Sequence, residues 1–279
     1  MRKEWIRSEE EKVFKRIQIE RNRRRRNLKK NESNPIRDLN HFNTLTSSDR
    51  TCLNNITHCY DQFFAEPSIS GFVISKKISL RIDELFNRKK PIYVNFVSYF
   101  KQLPESQTLD IDDQVSLIKH NIRLIMPINY AVFRAPRDSK FRNSRIKTIG
   151  CQNNINIHEM LRNLADSFVE FVVYDCLLVK LFIIVLFYTT DSLTTRAIYD
   201  PGQYKELNTI KKIQSSYMEL LWLYMIERYG EEKSVHLFTR MISKYLHIQV
   251  VVDRTDSIIH GNTDIENIDS LMKTMLQLT

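Results

Sequence analysis

Apolar residues recur every three or four positions in several segments of the chain, a spacing that places them on one face of an α-helix. This spacing predicts helices over residues 48–65, 91–102, 209–229 and 234–253, and another that begins near Asp110 and runs toward Phe133. Gly230, between the last two segments, stands where a helix C-cap is expected. Residues 66–90 show no clear period.

Prolines and aspartates mark the ends of two of these helices. Pro104 cannot continue the helix before it. Asp110, Asp112 and Asp113 offer capping oxygens and negative charge to the start of the next helix. Pro127 is expected to interrupt and kink that second helix.

The most apolar part of the chain lies within residues 155–190. A membrane span needs about 20 residues with almost no charge, whereas Glu170, Asp175 and Lys180 divide this stretch into shorter runs. We therefore predict a helix buried in a large helical core, and no membrane partner.

Near the C-terminus, Thr263 and Glu266 have the spacing of a capping box, in which each side chain bonds the backbone N–H of the other residue. The apolar residues around and after them lie at helical spacing: Ile265, Ile268, Leu271, Met272, Met275 and Leu276. The pattern predicts an amphipathic helix that starts at this box.

Composition supports a helical body with a basic arm. The 279 residues include only 5 Gly and 7 Pro, which argues against a turn-rich β protein. Of the net charge of +9, the first 40 residues carry +7, from 14 basic and 7 acidic side chains. We divide the chain into a basic hinge over residues 1–40 and a helical domain over residues 41–279.

The arm contains an arginine run that admits two interpretations. It consists of Arg21 and of Arg23, Arg24, Arg25 and Arg26. Either the run belongs to a solvated charged helix over residues 1–30, or it contacts phosphates or directs nuclear import. Such contacts would give DNA affinity without base specificity.

Features of catalytic and metal sites are missing from the sequence. Cys52, Cys59, Cys151 and Cys176 have no metal-ligand spacing, and we expect reduced thiols in an intracellular protein. His158 precedes a glutamate as in a zinc-protease motif, but no second histidine follows at the required distance. We predict neither an enzyme nor a cofactor.

One stretch, Tyr99 to Lys119, has a long pattern of fixed spacing. Its defining positions are Tyr99, Lys101, Pro104, Leu109, Asp113, Gln114, Leu117, Ile118 and Lys119. The pattern resembles the signature of nuclear receptor ligand-binding domains, with the vitamin D and peroxisome-proliferator receptor branch as the nearest cousins. Phe100 replaces the usual small residue and Ser106 the usual aromatic.

The N-terminus supports the same resemblance. The opening residues 1–6, followed by Ser8 and three glutamates, are similar to the segment that follows the second zinc module in vitamin D-type receptors. The resemblance implies a receptor whose zinc-finger DNA-binding domain is missing or lies upstream of Met1.

The resemblance implies an all-α fold, a three-layer antiparallel helical sandwich with a small β-turn element at residues 134–152. It also implies a pocket for a small lipophilic ligand, with Met126, Asn129, Tyr130 and Phe133 as wall candidates. The alternative is that these four are plain core residues. In relatives the last long helix forms the dimer surface, often with a retinoid-type receptor.

The resemblance further implies a groove that binds the helix of a coactivator or corepressor. Its candidates are Val97, Lys101, Val115 and Lys119, with Leu271, Met272, Thr274 and Met275 from an activation helix. Thr274 stands where relatives carry glutamate, so we expect weak or absent ligand-dependent activation. Without the signature, both lysines would be interpreted as solvated helix ends.

Three functions follow as hypotheses. The first is a nuclear, ligand-binding transcriptional regulator that recruits coregulator helices. The second is a ligand-independent helical dimerisation module that inhibits other receptors and lacks its own DNA reader. The third is a nucleic-acid-binding protein driven by the arginine arm, whose affinity would fall steeply with salt.

Overall fold

The computed structural model describes residues 45–64, 78–134, 146–149, 155–190 and 204–278, which belong to one compact unit that begins at Leu45. The hinge over residues 1–40 and Arg23 to Arg26 lie outside the described residues. Nine α-helices occupy the described part: α1 (Ser47–Phe64), α2 (Ile82–Gln102), α3 (Pro104–Thr108), α4 (Ile111–Arg134), α5 (Ile157–Tyr174), α6 (Cys176–Phe187), α7 (Leu207–Tyr229), α8 (Glu231–His260) and α9 (Ser270–Met275).

Strand content in the described part is small. Strand β1 (Ile78–Leu80) pairs in parallel with β2 (Ile146–Thr148). A 3₁₀ helix (Thr263–Asn267) precedes α9. The predicted all-α class is therefore confirmed. Strand β2 lies within residues 134–152, the segment expected to hold a β element. Its partner β1 lies within residues 66–90, which show no clear hydrophobic period.

Helix α6 lies at the centre of the body. Every residue from Leu178 to Phe187 is buried, and α6 contacts α1, α4, α5 and α7. A helix that is apolar on all sides can only be buried on all sides. The charged residue within it, Lys180, reaches Asp61 on α1 at 2.7 Å and lies 4.6 Å from the ring centre of Tyr60. These two contacts compensate the buried ammonium group.

The apolar stretch forms two helices instead of the single helix predicted. Asp175 has extended backbone between α5 and α6, and its carboxylate accepts a hydrogen bond from the Leu178 N–H at 3.1 Å. The same carboxylate accepts hydrogen bonds from the hydroxyls of Tyr224 and Tyr229 on α7 and pairs with Arg228. Because these contacts with α7 hold Asp175 in place as the N-cap of α6, the apolar stretch is divided into two helices.

The two prolines inside helices do not end them. Helix α4 continues across Pro127 to Arg134, although an interruption was expected. Helix α2 begins nine residues before the predicted start at residue 91 and contains Pro91. Burial of the apolar faces of both helices outweighs the lost backbone hydrogen bond.

Phe100 and Ser106, the two residues that depart from the signature, both contact residues at the end of α6. The Phe100 ring stacks on Phe187 with 3.6 Å between the ring centres. The Ser106 hydroxyl lies 2.7 Å from the Tyr188 hydroxyl, and both side chains are buried. The large residue at position 100 and the small one at position 106 thus fit two consecutive aromatic side chains at the end of α6.

Asp113 fixes α4 to the start of α7 and does not cap α4 as expected. Its fully buried carboxylate accepts hydrogen bonds from the backbone N–H groups of Lys205 and Glu206, at 2.9 and 2.8 Å. In return, the Glu206 carboxylate accepts from the Asp110 N–H at 3.2 Å. Of the three aspartates, Asp110 supplies the local turn, because its carboxylate accepts from the Asp112 N–H.

We predict that Asp113→Ala lowers the free energy of unfolding by about 2–4 kcal/mol, because it leaves two buried backbone N–H groups without an acceptor. Asp112→Ala is the matched control. Its side chain is 77% exposed and, among the described residues, pairs with the exposed Lys205 ammonium alone, so the loss should stay below about 1 kcal/mol. Urea denaturation of both variants measures the difference, and equal losses would contradict the assignment.

Candidate functional site

Helix α9 packs on α2 and α4. At its start, Asp269 is the N-cap and accepts a hydrogen bond from the Leu271 N–H at 3.0 Å. The Lys90 ammonium on α2 lies 2.7 Å from the same carboxylate, and the Asp269 N–H donates to the Asn87 side chain at 2.8 Å. This end of α9 is therefore attached to α2 by side chains.

The other end of α9 is attached to α4. The Gln277 side-chain amide donates to the Lys119 carbonyl at 2.8 Å. The Arg123 guanidinium donates to the Leu276 carbonyl at 3.2 Å. Met272 and Met275 are buried between these anchors. Two helices distant in sequence thus determine where α9 lies.

The prediction of a capping box at Thr263 and Glu266 is wrong. The Asn262 side chain accepts from the Asp264 N–H and starts the 3₁₀ helix, and Asp269 starts α9 separately. The expected single amphipathic helix is therefore divided at Ile268, which is buried with extended backbone.

The predicted groove residues lie on the helices to which α9 is attached. Val97 is half-buried on α2, and Val115, 42% exposed, is on α4. Leu271 on α9 is 39% exposed. These apolar side chains lie on three helices, of which α9 packs on the other two, and partly exposed apolar side chains can receive another apolar surface.

Two lysines follow the groove valines by one helical turn. Lys101 is exposed in the last turn of α2, and Lys119 is half-buried on α4. Among the described residues, no acidic side chain pairs with the ammonium group of Lys101 or Lys119. Cations placed this way can bind the carbonyl end of a helix, which carries partial negative charge.

Thr274 is only half-buried, and its hydroxyl donates to the Ser270 carbonyl at 3.1 Å within α9. The neighbouring Lys273 ammonium donates to the Glu266 carbonyl at 2.9 Å. The sequence from Leu271 to Leu276 contains no acidic residue. Helix α9 therefore carries no acidic side chain after its N-cap, Asp269.

A small cavity lies between α2, α4 and α5. Its volume is about 50 Å³, and Met126 and Tyr130 line it. Asn129 is fully buried instead in the core, where its side-chain oxygen accepts from the Tyr60 hydroxyl at 2.6 Å. Phe133 is buried and stacks with Tyr130. Of the four predicted wall residues, two therefore line this cavity.

The basic residues around this cavity were missed by sequence reasoning. Lys89 and Arg162 line it, together with Arg123 and His158. Lys89 stands in the segment without a clear period, and His158 was considered only as a protease motif. Lys89 and Tyr93 are four residues apart and therefore share one face of a helix. This spacing is the signal in the sequence that could have identified Lys89 as a residue of the cavity wall.

Two further properties of the described residues bear on function. In the part of the chain that the structure describes, no group of three His, Cys, Asp or Glu side chains could hold a metal ion. None of the described helices has the length and apolar character needed to cross a membrane.

Comparison with known proteins identifies no family. No protein-family model matches the chain, and no curated protein matches it significantly.

The attachment of α9 is predicted to depend on Asp269. The Lys90 hydrogen bond, followed by the N–H groups of α9, lowers the pKa of this carboxyl below its ordinary value. Because the docked helix favours the ionised form of Asp269, the carboxylate stabilises docking at pH values above the ordinary carboxyl pKa of about 4. That stabilisation is lost as pH falls through the lowered pKa.

We therefore expect Asp269→Ala to speed amide hydrogen exchange in residues 270–276 at neutral pH. Glu266→Ala is the control, because among the described residues no hydrogen bond or ion pair involves the Glu266 side chain, and its backbone carbonyl, which accepts from Lys273, is kept. Lowering pH should reduce the difference between Asp269→Ala and the unmodified protein. Identical protection of α9 in both variants at neutral pH would refute this dependence.

Proposed function

We propose that the chain is a nuclear receptor-type transcriptional regulator. Its helical body would bind a small lipophilic ligand and recruit the helices of coactivators or corepressors in the nucleus. The observation that supports the proposal is that α9 packs on both α2 and α4, the helices that carry Lys101 and Lys119.

A three-layer sandwich is the finer fold that we propose. Its support is the pattern of helix contacts: α1 and α2 pack together, α1 also contacts α6, and α8 contacts α4, α5 and α7. In this arrangement α4 and α6 would form the middle layer. The high burial of both helices agrees with that assignment.

Coregulator binding would follow helix-in-groove recognition. The apolar face of the partner helix would cover Val97, Val115 and Leu271. Lys101 and Lys119 would contact its last carbonyl groups. At the other end of the groove, free N–H groups of the partner helix need an acceptor, and the engaged hydroxyl of Thr274 is a poor one.

The missing acid favours weak activation over strong activation. A hydrogen bond to a charged group contributes about 1.5–3 kcal/mol, which corresponds to about 10- to 100-fold in affinity. A repressive or inhibitory role, through corepressors or through other receptors, fits this weak groove. DNA contact would be non-specific and confined to the arm, unless zinc modules lie upstream.

We predict that Thr274→Glu strengthens binding of a Leu-rich coactivator peptide by about tenfold, because it supplies a charged acceptor. Fluorescence anisotropy with a labelled peptide measures the affinity. Thr274→Gln, similar in size but uncharged, is the matched control and should gain less. Lys101→Ala should weaken peptide binding both with Thr274 and in the Thr274→Glu background, because it removes a contact at the opposite end of the partner helix.

An unchanged affinity of Thr274→Glu for the peptide would reject the groove assignment. Equal gains with glutamate and glutamine would show that size, not charge, determines the effect.

Dimerisation through α8 is the second candidate function. Val235, Leu246 and Val250 lie on this helix and are 47%, 44% and 69% exposed. Side chains 4 and 11 residues apart share one helical face. Such a stripe suits an apolar partner helix, and the proposed partner is a retinoid-type receptor.

We expect the double change Leu246→Glu and Val250→Glu to abolish association with the ligand-binding domain of a retinoid-type receptor. Analytical ultracentrifugation of the mixed proteins measures it. Val173→Glu is the control, because Val173 is 72% exposed on α5 and outside the stripe. Loss of association in all variants, or in none, would exclude α8 as the surface.

A further inference from the structure

A pocket of about 400 Å³ lies between the end of α5, the end of α7 and the first three turns of α8. We call it the tyrosine pocket, because Tyr174 and Tyr229 line it together with the basic side chains of Lys233, His236 and Arg240. Pockets that bind small organic molecules have volumes of about 300–1,000 Å³. The tyrosine pocket is therefore large enough for such a ligand, whereas the cavity between α2, α4 and α5, at about 50 Å³, is not.

Two helix ends create the space of the tyrosine pocket. Helix α5 ends at Tyr174, because Asp175 caps α6. Helix α7 ends at Tyr229, and Gly230, with a φ of 76°, turns the chain into α8. The Tyr229 hydroxyl donates to the Asp175 carboxylate and so fixes the position of its ring beside that of Tyr174. The pocket is thus a consequence of the helix break at Asp175.

One wall of the pocket is aromatic. The ring centres of Tyr174 and Tyr229 are 5.2 Å apart, with 32° between the ring planes. Tyr174 is 58% exposed, so the fold leaves much of this side chain uncovered. Phe171 also lines the pocket, but it is buried, and the Arg240 guanidinium lies 5.4 Å from its ring centre. A planar ligand would therefore stack on the ring of Tyr174.

The other wall is basic. Lys233, His236 and Arg240 are three and four residues apart on α8, so they share one face of the helix. All three side chains are exposed. Among the described residues, no acidic side chain pairs with Lys233 or His236. Both are therefore available to an anion that enters the pocket.

Acidic side chains do not cancel the charge of this wall. Of the described residues that line the pocket, Glu170 alone is acidic, and its carboxylate lies 2.8 Å from the Arg240 guanidinium. Glu231 and Glu232 are exposed in the first turn of α8 but do not line the pocket. With Glu170 and Arg240 paired, the Lys233 ammonium gives the wall a net positive charge.

The two walls together select the class of ligand. A quaternary ammonium ion would bind the aromatic rings, but Lys233 and Arg240 would repel it. An apolar ligand would leave the basic wall without a partner, and a bare anion would leave the ring of Tyr174 uncovered. A planar aromatic group joined to an anion satisfies both walls.

A phosphate is the anion that suits the basic wall best. Its terminal oxygens accept hydrogen bonds from several donors at once, and Lys233 and His236 carry donors about one helical turn apart. We propose that the tyrosine pocket binds a planar aromatic compound that carries a phosphate group, with its ring on Tyr174 and its phosphate on Lys233 and His236. A nucleoside monophosphate has this chemistry.

This ligand site goes beyond the proposed receptor function and does not depend on it. None of the described residues that line the tyrosine pocket belongs to the groove or to the smaller cavity between α2, α4 and α5. The affinity of the pocket for an aromatic phosphate can therefore be measured whether or not the groove binds a coregulator helix.

Four probes test the proposal on the full chain. Adenosine monophosphate carries the ring and the phosphate, adenosine keeps the ring without the charge, and inorganic phosphate keeps the charge without the ring. Phenyl phosphate joins the phosphate to a single ring. Isothermal titration calorimetry measures the four affinities. We expect adenosine monophosphate to bind about tenfold or more tightly than adenosine and than inorganic phosphate, because each of these loses contact with one of the two walls.

The variant Tyr174→Ala tests the aromatic wall, and Val173→Ala is its matched control. Both residues are exposed at the end of α5, but Val173, which is 72% exposed, does not line the pocket. Tyr174→Ala should weaken binding of adenosine monophosphate about fivefold or more, the effect of removing one aromatic stacking partner. Val173→Ala should leave the affinity unchanged.

The variant Lys233→Met tests the basic wall, and its control is Lys211→Met, which removes an exposed lysine of α7 outside the pocket. Lys233→Met should weaken adenosine monophosphate about fivefold, the strength of a favourable exposed ion pair, and leave adenosine unchanged. Lys211→Met should change neither affinity. Because Tyr174 and Lys233 are exposed, Tyr174→Ala and Lys233→Met should keep the thermal midpoint of the unmodified protein.

The outcomes separate the possible ligands from a failure of the proposal. Phenyl phosphate that binds as tightly as adenosine monophosphate would support the pocket with any aryl phosphate as its ligand, and weaker binding would support a nucleotide. Absence of binding by both phosphate esters would overturn the proposal. The same holds for an affinity for adenosine or inorganic phosphate equal to that for adenosine monophosphate, and for a lack of effect of Tyr174→Ala or of Lys233→Met.

Discussion

Complete burial of α6 is the constraint on which the rest of the structure depends. A ten-residue run without an exposed side chain must be covered on all sides, and α1, α4, α5 and α7 cover it. Its one charge, Lys180, is tolerated because Asp61 and the Tyr60 ring lie against it. The positions of α2, α8 and α9 follow, because these helices pack on the ones that surround α6.

The placement of α9 depends on that framework. The short helix has six residues, too few for stability in isolation. Its anchors are therefore tertiary: Lys90 and Asn87 from α2, and Arg123 and the Lys119 carbonyl from α4. The buried side chains of Met272 and Met275 add apolar contacts to these polar anchors.

Lysines that have no acidic partner among the described residues lie at both candidate sites. The groove has Lys101 and Lys119 without an acid on α9, and the cavity has Lys89 and Arg162 without a carboxylate in its wall. Arg123 belongs to the cavity and also contacts the residue after α9. The proposed partner helix would supply the partial negative charge of a helix end to the lysines of the groove.

The amino-acid sequence alone determined the helical class, the spans of α1 and α7 to within about two residues, and the Gly230 cap, because apolar periodicity and glycine preferences are local properties. Tertiary structure decided the break at Asp175, the pairing of β1 with β2 and the docking of α9, because their partners are distant in sequence. Asp113 illustrates the difference: its spacing suggested a helix cap, but a buried carboxylate bonds whichever N–H groups the fold brings to it. For the same reason, the sequence could not show which lysines and arginines pair with an acidic side chain. The packing of α2, α4, α5 and α8 decided it.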